Sequence, residues 1–302
     1  MTAQSIPVTL IGGYLGAGKT TLVNHLLRNA CGRRIAVLVN EFGDLPIDSD
    51  LIEARNDDLI TIAGGCICCS FGSDLVAALM ALKSRAASID HIVIETSGVA
   101  LPGAVVQATA LLPNVAIDGV IVLADAETVE ARARDRYMGD TILRQLSDAD
   151  LILLNKTDLV AVDKATSVAS WLANEAPRAR VLAVQNAQIP IELALGLQTD
   201  RIGARGSARP HDTSRYESFV AELGTTTDID RLCTQLSGSA LGILRAKGFV
   251  RDAAGRLHSL HVVGSRVSTL PEAENAQQAP RLVFIGLSGQ LDRDTILSML
   301  SA

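Results

Sequence analysis

The stretch Val8-Thr-Leu-Ile11-Gly-Gly13-Tyr-Leu-Gly16-Ala17-Gly18-Lys19-Thr20-Thr21 decides the fold. An apolar strand runs straight into the pattern GxxxxGK[ST], and the pattern runs straight into the amphipathic stretch Thr20–Arg28. Strand, glycine-rich loop and helix in that order form a phosphate-binding loop, or P-loop. Its glycines let the chain wrap closely, so that backbone N–H groups of Gly13, Gly16, Ala17, Gly18 and Thr21 converge on the β- and γ-phosphates of a nucleotide. The helix that follows adds the partial positive charge of its N-terminus. Lys19 supplies a full charge to the phosphates, and Thr20 a hydroxyl ligand for Mg²⁺.

Working outward, apolar runs alternate with helical patterns as far as residue ~190. Strands are expected at Pro7–Ile11, Arg34–Val39, Leu59–Ile62, His91–Glu95, Val120–Asp125, Leu151–Asn155 and Arg180–Val184. Between them lie amphipathic segments at Ser73–Ser84, Gly103–Leu112, Asp140–Leu146 and Asp163–Asn174. Continuous apolar strands joined by helices specify an α/β fold of the P-loop NTPase kind, a doubly wound and mostly parallel sheet. A polar interval from Gln185 to Arg215 reads as solvated linker. Beyond it strands outnumber helices: Tyr216–Leu223, a hairpin of Gly242–Arg251 and Arg256–Val263, and Arg281–Gly286, with helices at Asp228–Leu236 and Asp292–Leu300. The expected organisation is a P-loop domain over 1–190, a linker over 191–215 and a smaller α+β domain over 216–302.

Leu151-Ile-Leu-Leu-Asn155-Lys156-Thr157-Asp158 ends a strand in the pattern NKxD. A carboxylate at Asp158 accepts from both the ring N–H and the exocyclic amine of guanine, whereas adenine would leave it unpaired. The stem of Lys156 can lie along the base. With a P-loop upstream, Asn155, Lys156 and Asp158 predict GTP and GDP as ligands. His91-Ile-Val-Ile-Glu95-Thr-Ser-Gly98 brings an acid to the same edge. Glu95 either holds Mg²⁺ through water or orients the attacking water, and the Gly98 amide is placed to sense the γ-phosphate. Lys19 and Glu95 are therefore the catalytic candidates. Asn40-Glu41-Phe-Gly-Asp44-Leu-Pro-Ile-Asp48 occupies the place of a first switch loop and offers three acids for a cation.

Composition narrows the setting. The chain has 302 residues, 48% apolar and 20% charged, with a net charge of −6. That balance argues against nucleic acid or anionic membrane as a partner. No apolar run approaches the ~18 residues of a membrane helix, because Asp118 breaks Val115–Ala124, and Met-Thr-Ala-Gln-Ser lacks a basic leader. A cytoplasmic protein is expected. Three of its five cysteines crowd into Gly64-Gly65-Cys66-Ile67-Cys68-Cys69. Thiols so close make poor disulfide partners, and in a reducing compartment they indicate a metal or reactive site. Thiolates select Zn²⁺, Cu⁺ or Co²⁺, and a carboxylate from Glu41 or a water would complete four ligands. Without a second cysteine pair, a transferable metal fits better than a permanent staple. Cys31 and Cys233 read as buried bystanders.

In this order GGYLGAGKTT, NEFGD with Ile47-Asp48, GGCICC, IVIETSG and NKTD resemble the CobW-type P-loop GTPases, a family of cobalamin-biosynthesis accessory proteins, zinc metallochaperones and nitrile hydratase activators. The resemblance extends through Gly242-Ile-Leu-Arg-Ala-Lys-Gly248-Phe and the final Leu282-Val-Phe-Ile-Gly, which look like the family's C-terminal domain. It implies slow GTP hydrolysis coupled to delivery of a divalent transition metal, Zn²⁺ or Co²⁺, to a client protein. On that pattern Cys66, Cys68 and Cys69 are metal ligands, with Glu41 as an additional one. The chain departs from the family in having Asp44 where glutamate is usual, and only His211 and Asp212 where many relatives carry a histidine-rich stretch. No glutamine stands out for water activation, so low turnover is expected. The alternatives are a regulatory or assembly GTPase with structural thiols, and a thiol-redox or iron–sulfur scaffold.

Overall fold

The structure is a computed structural model that describes residues 5–40, 60–64, 79–80, 89–112, 115–196, 215–224, 226–273 and 278–300. The chain divides into two compact units, one running to Leu195 and the other from Gly196. In the first, strands β1 (Ile6–Gly13), β2 (Ile35–Asn40), β3 (Ile60–Gly64), β4 (His91–Glu95), β5 (Val115–Asp125), β6 (Leu151–Asn155) and β7 (Arg180–Ala183) form a seven-stranded sheet. Its order is β3-β2-β4-β1-β5-β6-β7, and every pairing is parallel. The helices are α1 (Lys19–Arg28), α2 (Pro102–Ala110), α3 (Val129–Ala133), α4 (Gly139–Ser147), α5 (Val162–Glu175) and α6 (Ile191–Leu195). The expected helix Ser73–Ser84, apart from Leu79 and Met80, lies outside the described residues.

The continuous apolar runs have the predicted cause. Every residue of β4 and β6 is buried, as strands covered on both faces require. Leu10, Ile92, Val122, Ile152 and Leu154 share one core cluster with Ile142 and Leu146 of α4 and Val168 and Leu172 of α5. Each such side chain contributes roughly 1.5–3 kcal/mol on leaving water. At the foot of the sheet Arg34 binds Asp90 through its backbone N–H (2.9 Å) and guanidinium (2.7 Å). The Arg34 side chain, helped by that backbone bond and its charge, holds the Asp90 carboxyl below the usual aspartate value against the opposing effect of burial.

Helix α3 was not expected from the sequence, and three further differences bear on the architecture. Strand β5 begins at Val115, five residues before the expected Val120. Its register on β1 slips between Val8 and Thr9, where Ile117 and Gly119 are the successive partners. Asp118 is the extra residue of that bulge, so its charge masked a strand that continues across it. Residues 191–195, expected in the linker, form α6 instead, with Ile191, Leu193, Ala194 and Leu195 buried. The third difference is in the second unit, whose antiparallel sheet runs β11-β10-β9-β12-β8.

That sheet contains β8 (Tyr216–Glu222), β9 (Ile243–Arg251), β10 (Leu257–Val263), β11 (Arg266–Pro271) and β12 (Arg281–Leu287), with helices α7 (Ile229–Leu236) and α8 (Arg293–Leu300). The hairpin partner β11 went unread, although Gly264-Ser265 is a two-residue hairpin signal and Gly264 has a φ of +59°. Leu232 and Leu236 of α7 and Ile296 of α8 share a core with Leu260, Val262, Leu282 and Phe284. The Phe219 and Phe284 rings stack at 5.1 Å. Asp228 caps α7, accepting from the Arg231 N–H at 3.1 Å, as its position predicts. The expected small α+β unit is present.

Candidate functional site

The phosphate end of the site is one continuous segment. β1 ends at Gly13, whose φ is +128°, and a Cβ there would lie 2.4 Å from the Leu123 carbonyl oxygen. Gly18, at φ +109°, precedes the first residue of α1, and a Cβ there would meet the Asn155 amide nitrogen at 2.4 Å. Only glycine fits either position. Ala17 N–H donates to the Tyr14 carbonyl at 3.1 Å, closing the turn of the loop. Lys19 is 7% exposed, and its ammonium donates to the same carbonyl at 3.3 Å, so its charge is folded back over the loop. Gly16 has open space around it, and Thr21 is exposed on α1.

Glu95 joins this segment from the end of β4, where it pairs in register with Ile11 of β1. It is 2% exposed, and Thr20 Oγ1 donates to its Oε1 at 2.9 Å. A hydroxyl and a carboxylate in contact form an oxygen-only donor set, which suits a hard cation rather than a soft one. Thr96 N–H donates to the Ile11 carbonyl at 2.9 Å and holds the following turn beside the loop. Gly98 is pressed against Leu15, where a Cβ would lie 2.8 Å from the Leu15 nitrogen. The Ser97 hydroxyl is buried with no hydrogen-bond partner among the described residues. A buried unpaired hydroxyl costs about 1–3 kcal/mol, so a polar ligand atom at this edge would relieve it.

Gln145 of α4 was missed by the sequence reading. It is 1% exposed, and its amide donates to the carbonyls of Gly98 (3.1 Å) and Ala100 (2.8 Å). Asp148, just after α4, accepts from the Gly103 N–H at 2.8 Å. One helix thus ties down both ends of the turn that follows Glu95. The glutamine near the phosphate end is a brace for that turn, and the residue after Gly98 is the aliphatic Val99.

The base end is assembled from distant segments. Asn155, 3% exposed, donates to the Ala17 carbonyl at 2.9 Å and accepts from the Ala187 N–H at 2.8 Å. It clamps the P-loop to the turn after β7. Lys156 adopts a left-handed φ of +63° and places its ammonium 2.6 Å from Asp125 at the end of β5. Asp125 was read only as the last residue of a strand, yet an apolar run ending in an acid is the same signal that singled out Glu95. Thr157 Oγ1 donates to the Val184 carbonyl at 2.9 Å. Asp158 stands exposed in the short helical turn Thr157–Leu159. With Asn155 and Lys156 tied inward, Asp158 is the member of the motif left facing outward.

The metal-ligand candidates Glu41, Cys66, Cys68 and Cys69, with Asp44 and Asp48, lie outside the described residues. Among the described residues no group of three or more His, Cys, Asp or Glu side chains is placed to hold a metal ion. Cys31 corrects an expectation: it is exposed in a turn at φ +54°, not buried. Cys233 is half-buried on α7, where burial, aided by Asp230, pushes its thiol up. His258 and His261 fall on opposite faces of β10, and His258 approaches Asp252 at 3.1 Å. No described helix is long and apolar enough to cross a membrane.

Residues 7–183 match the family model described as the CobW/HypB/UreG nucleotide-binding domain, and residues 216–302 match the cobalamin synthesis protein cobW C-terminal domain. A zinc chaperone CobW from Sinorhizobium sp. is 33% identical, and the similarity covers 93% of this chain and 93% of that protein. A zinc chaperone CobW from Pseudomonas aeruginosa is 32% identical, over 99% of this chain and 92% of the relative. Among solved structures, the Zn(II)-bound YjiA GTPase from E. coli is 26% identical, with 99% of this chain and 98% of that one covered at a TM-score of 0.49.

Proposed function

This chain belongs to the CobW/HypB/UreG family of nucleotide-binding proteins, and on that premise we propose that it binds GTP, hydrolyses it slowly and delivers Zn²⁺ or Co²⁺ to a client metalloprotein. The observation that carries the guanine reading is the NKxD geometry. Asn155 is committed to the P-loop and to Ala187, Lys156 to Asp125, and Asp158 is exposed in the turn Thr157–Leu159. A carboxylate there pairs with the adjacent N1–H and 2-amino donors of guanine, where adenine presents a ring acceptor and a C–H.

Each residue has a distinct task. The backbone N–H groups from Gly13 to Thr21 and the Lys19 ammonium bind the β- and γ-phosphates. Thr20 and Glu95 would hold Mg²⁺ through their oxygens, and the ion would supply charge neutralisation at the phosphates. Their 2.9 Å contact supports the cation role for Glu95 over activation of water. The Ser97 hydroxyl is available to ligand at the same edge. The Gly98 N–H, held by the Gln145 brace, is positioned to register the γ-phosphate. Gln145 is committed to two carbonyls and Val99 carries no polar group, so neither orients water, which supports turnover below the 1–10³ s⁻¹ of typical enzymes.

Cys66, Cys68 and Cys69, with Glu41, are the proposed cargo ligands, and their place between the first switch segment and β4 supports nucleotide-gated loading and release. Relatives named zinc chaperones across nearly the whole chain support a metal-delivery role with zinc as the leading cargo. The acidic chain and thiol cluster favour a cytoplasmic setting with a protein client, rather than nucleic acid or membrane. The test is Cys66→Ala with Cys68→Ala in one chain. Tight Zn²⁺ binding should be lost while GTP binding is unchanged, and unaltered Zn²⁺ affinity would sink the ligand assignment.

A further inference from the structure

The helix that carries Lys19 and Thr20 also carries His25, six residues on and therefore about 9 Å further along its axis. His25 Nε2 lies 2.7 Å from the Ile189 carbonyl oxygen. A carbonyl only accepts, so Nε2 bears the proton and donates. The other ring nitrogen, Nδ1, lies 3.3 Å from the Asn29 amide nitrogen, a donor that also reaches the His25 carbonyl at 2.8 Å. The two partners together set one tautomer and one ring orientation. The whole arrangement is directed at a single turn, Gln185 to Ile189.

That turn is held from the base end as well. Thr157 binds the Val184 carbonyl, Asn155 Oδ1 accepts from the Ala187 N–H, and Gln188 N–H closes back on the Gln185 carbonyl at 3.0 Å. Asn186 and Ala187 both adopt left-handed backbone, at φ +50° and +52°. Such conformations in side-chain-bearing residues persist only where surrounding contacts impose them, and they gather at ligand sites. Ala187 and Ile189 are buried, whereas Gln185 and Asn186 are exposed beside the motif that presents Asp158. Asp158 can only accept, so it cannot serve the guanine O6, which is itself an acceptor. Gln185 and Asn186, exposed on this turn, carry amide donors of the kind that the guanine O6 requires.

We propose that His25 is a positioning residue for base recognition: it holds the Gln185–Ile189 turn as the second wall of the guanine pocket, opposite Asp158. The inference rests on the guanine reading above and extends it to residues outside the NKxD motif. Losing the His25 bond lets the turn relax, and the cost falls on the 6-oxo group of guanine while the phosphate contacts stay in place.

The test measures binding of GTP and of ATP to the full chain by calorimetry. His25→Leu should lower the preference for GTP over ATP about tenfold, the equivalent of one good hydrogen bond, through weaker GTP binding with ATP binding unchanged. His25→Gln should restore the preference, because its amide nitrogen reaches the place of Nε2 and still donates. A preference that survives His25→Leu overturns the inference alone. So does an equal weakening of both nucleotides without rescue by glutamine, which would make His25 merely structural. A wild-type chain with no preference for GTP would overturn the guanine reading and this inference with it. Should His25→Leu not fold, Asn29→Ala frees the ring to turn and should lower the preference in the same direction, and an unchanged ratio there also overturns it.

Discussion

The two ends of the nucleotide pocket are built in opposite ways. At the phosphate end, Gly13 to Thr21 is one uninterrupted segment, to which Glu95 and Asn155 bring side-chain bonds from elsewhere in the chain. At the base end, the Asn155–Thr157 segment, Asp125, the Val184–Ile189 turn and His25 come from four separate places in the chain and are joined by side-chain hydrogen bonds. The contiguous end depends on backbone geometry that only glycine permits. The assembled end depends on each bond in a chain of them, so damage there should spread from base selection to the stability of the unit.

The sharpest separation of the two ends is Lys19→Ala. It removes the charge from the phosphate end and should cost about 4 kcal/mol of GTP binding, on the order of a thousandfold, with the melting temperature little changed. Retained GTP affinity in an equilibrium titration would mean that the loop does not hold the phosphates. Next in size is Asp158→Asn, which should lose about 3 kcal/mol of guanine binding and gain affinity for xanthine nucleotides, whose ring presents an acceptor where guanine has an amine. Competition between GTP and XTP reads this directly. Equal losses for both would place the base elsewhere.

Asn155→Ala should blur the distinction, because it strips a partner from Ala17 at one end and Ala187 at the other. Two buried backbone groups lose their partner, and unfolding should become easier by about 2 kcal/mol in urea titration, with GTP affinity falling as well. A change in affinity with stability untouched would show that the clamp is not structural. The smallest effect lies away from both ends. Arg34 holds the Asp90 carboxyl below its ordinary value of 3.8, so the pair's stabilisation is fully present above that pH and is lost as pH falls through the lowered value. For a pair this accessible the contribution is below about 1 kcal/mol. Asp90→Asn should therefore be less stable than the parent at pH 6 by that small margin, and by less at pH 3, below the ordinary value. A gap of constant size at both values would assign the effect to something other than charge.

The same contrast explains what could be read from the chain. The P-loop, Glu95 and NKxD are local patterns whose spacing alone states their chemistry, and the parallel sheet followed from apolar runs such as Leu151–Asn155 that could only be covered on both faces. Gln145 and His25 were not legible, because a glutamine or histidine on an amphipathic helix carries no sign of which distant carbonyl it will meet. Helix α6 was lost in a polar interval because its apolar stretch is only five residues long. Strand β5 was shortened because a bulge at Asp118 looks like an end. The thiol cluster was conspicuous in sequence and falls, with Glu41, outside the described residues, so its part in the account rests on residue chemistry and on the relatives.

The central claim is that nucleotide state governs the hold on metal. The direct measurement is a calorimetric titration of Zn²⁺ into the full chain, once saturated with a non-hydrolysable GTP analogue and once with GDP. The account predicts different Zn²⁺ affinities in the two states, with the reverse titration of nucleotide into metal-free and Zn²⁺-loaded protein changing by the same factor. Identical Zn²⁺ affinity in both states would contradict it.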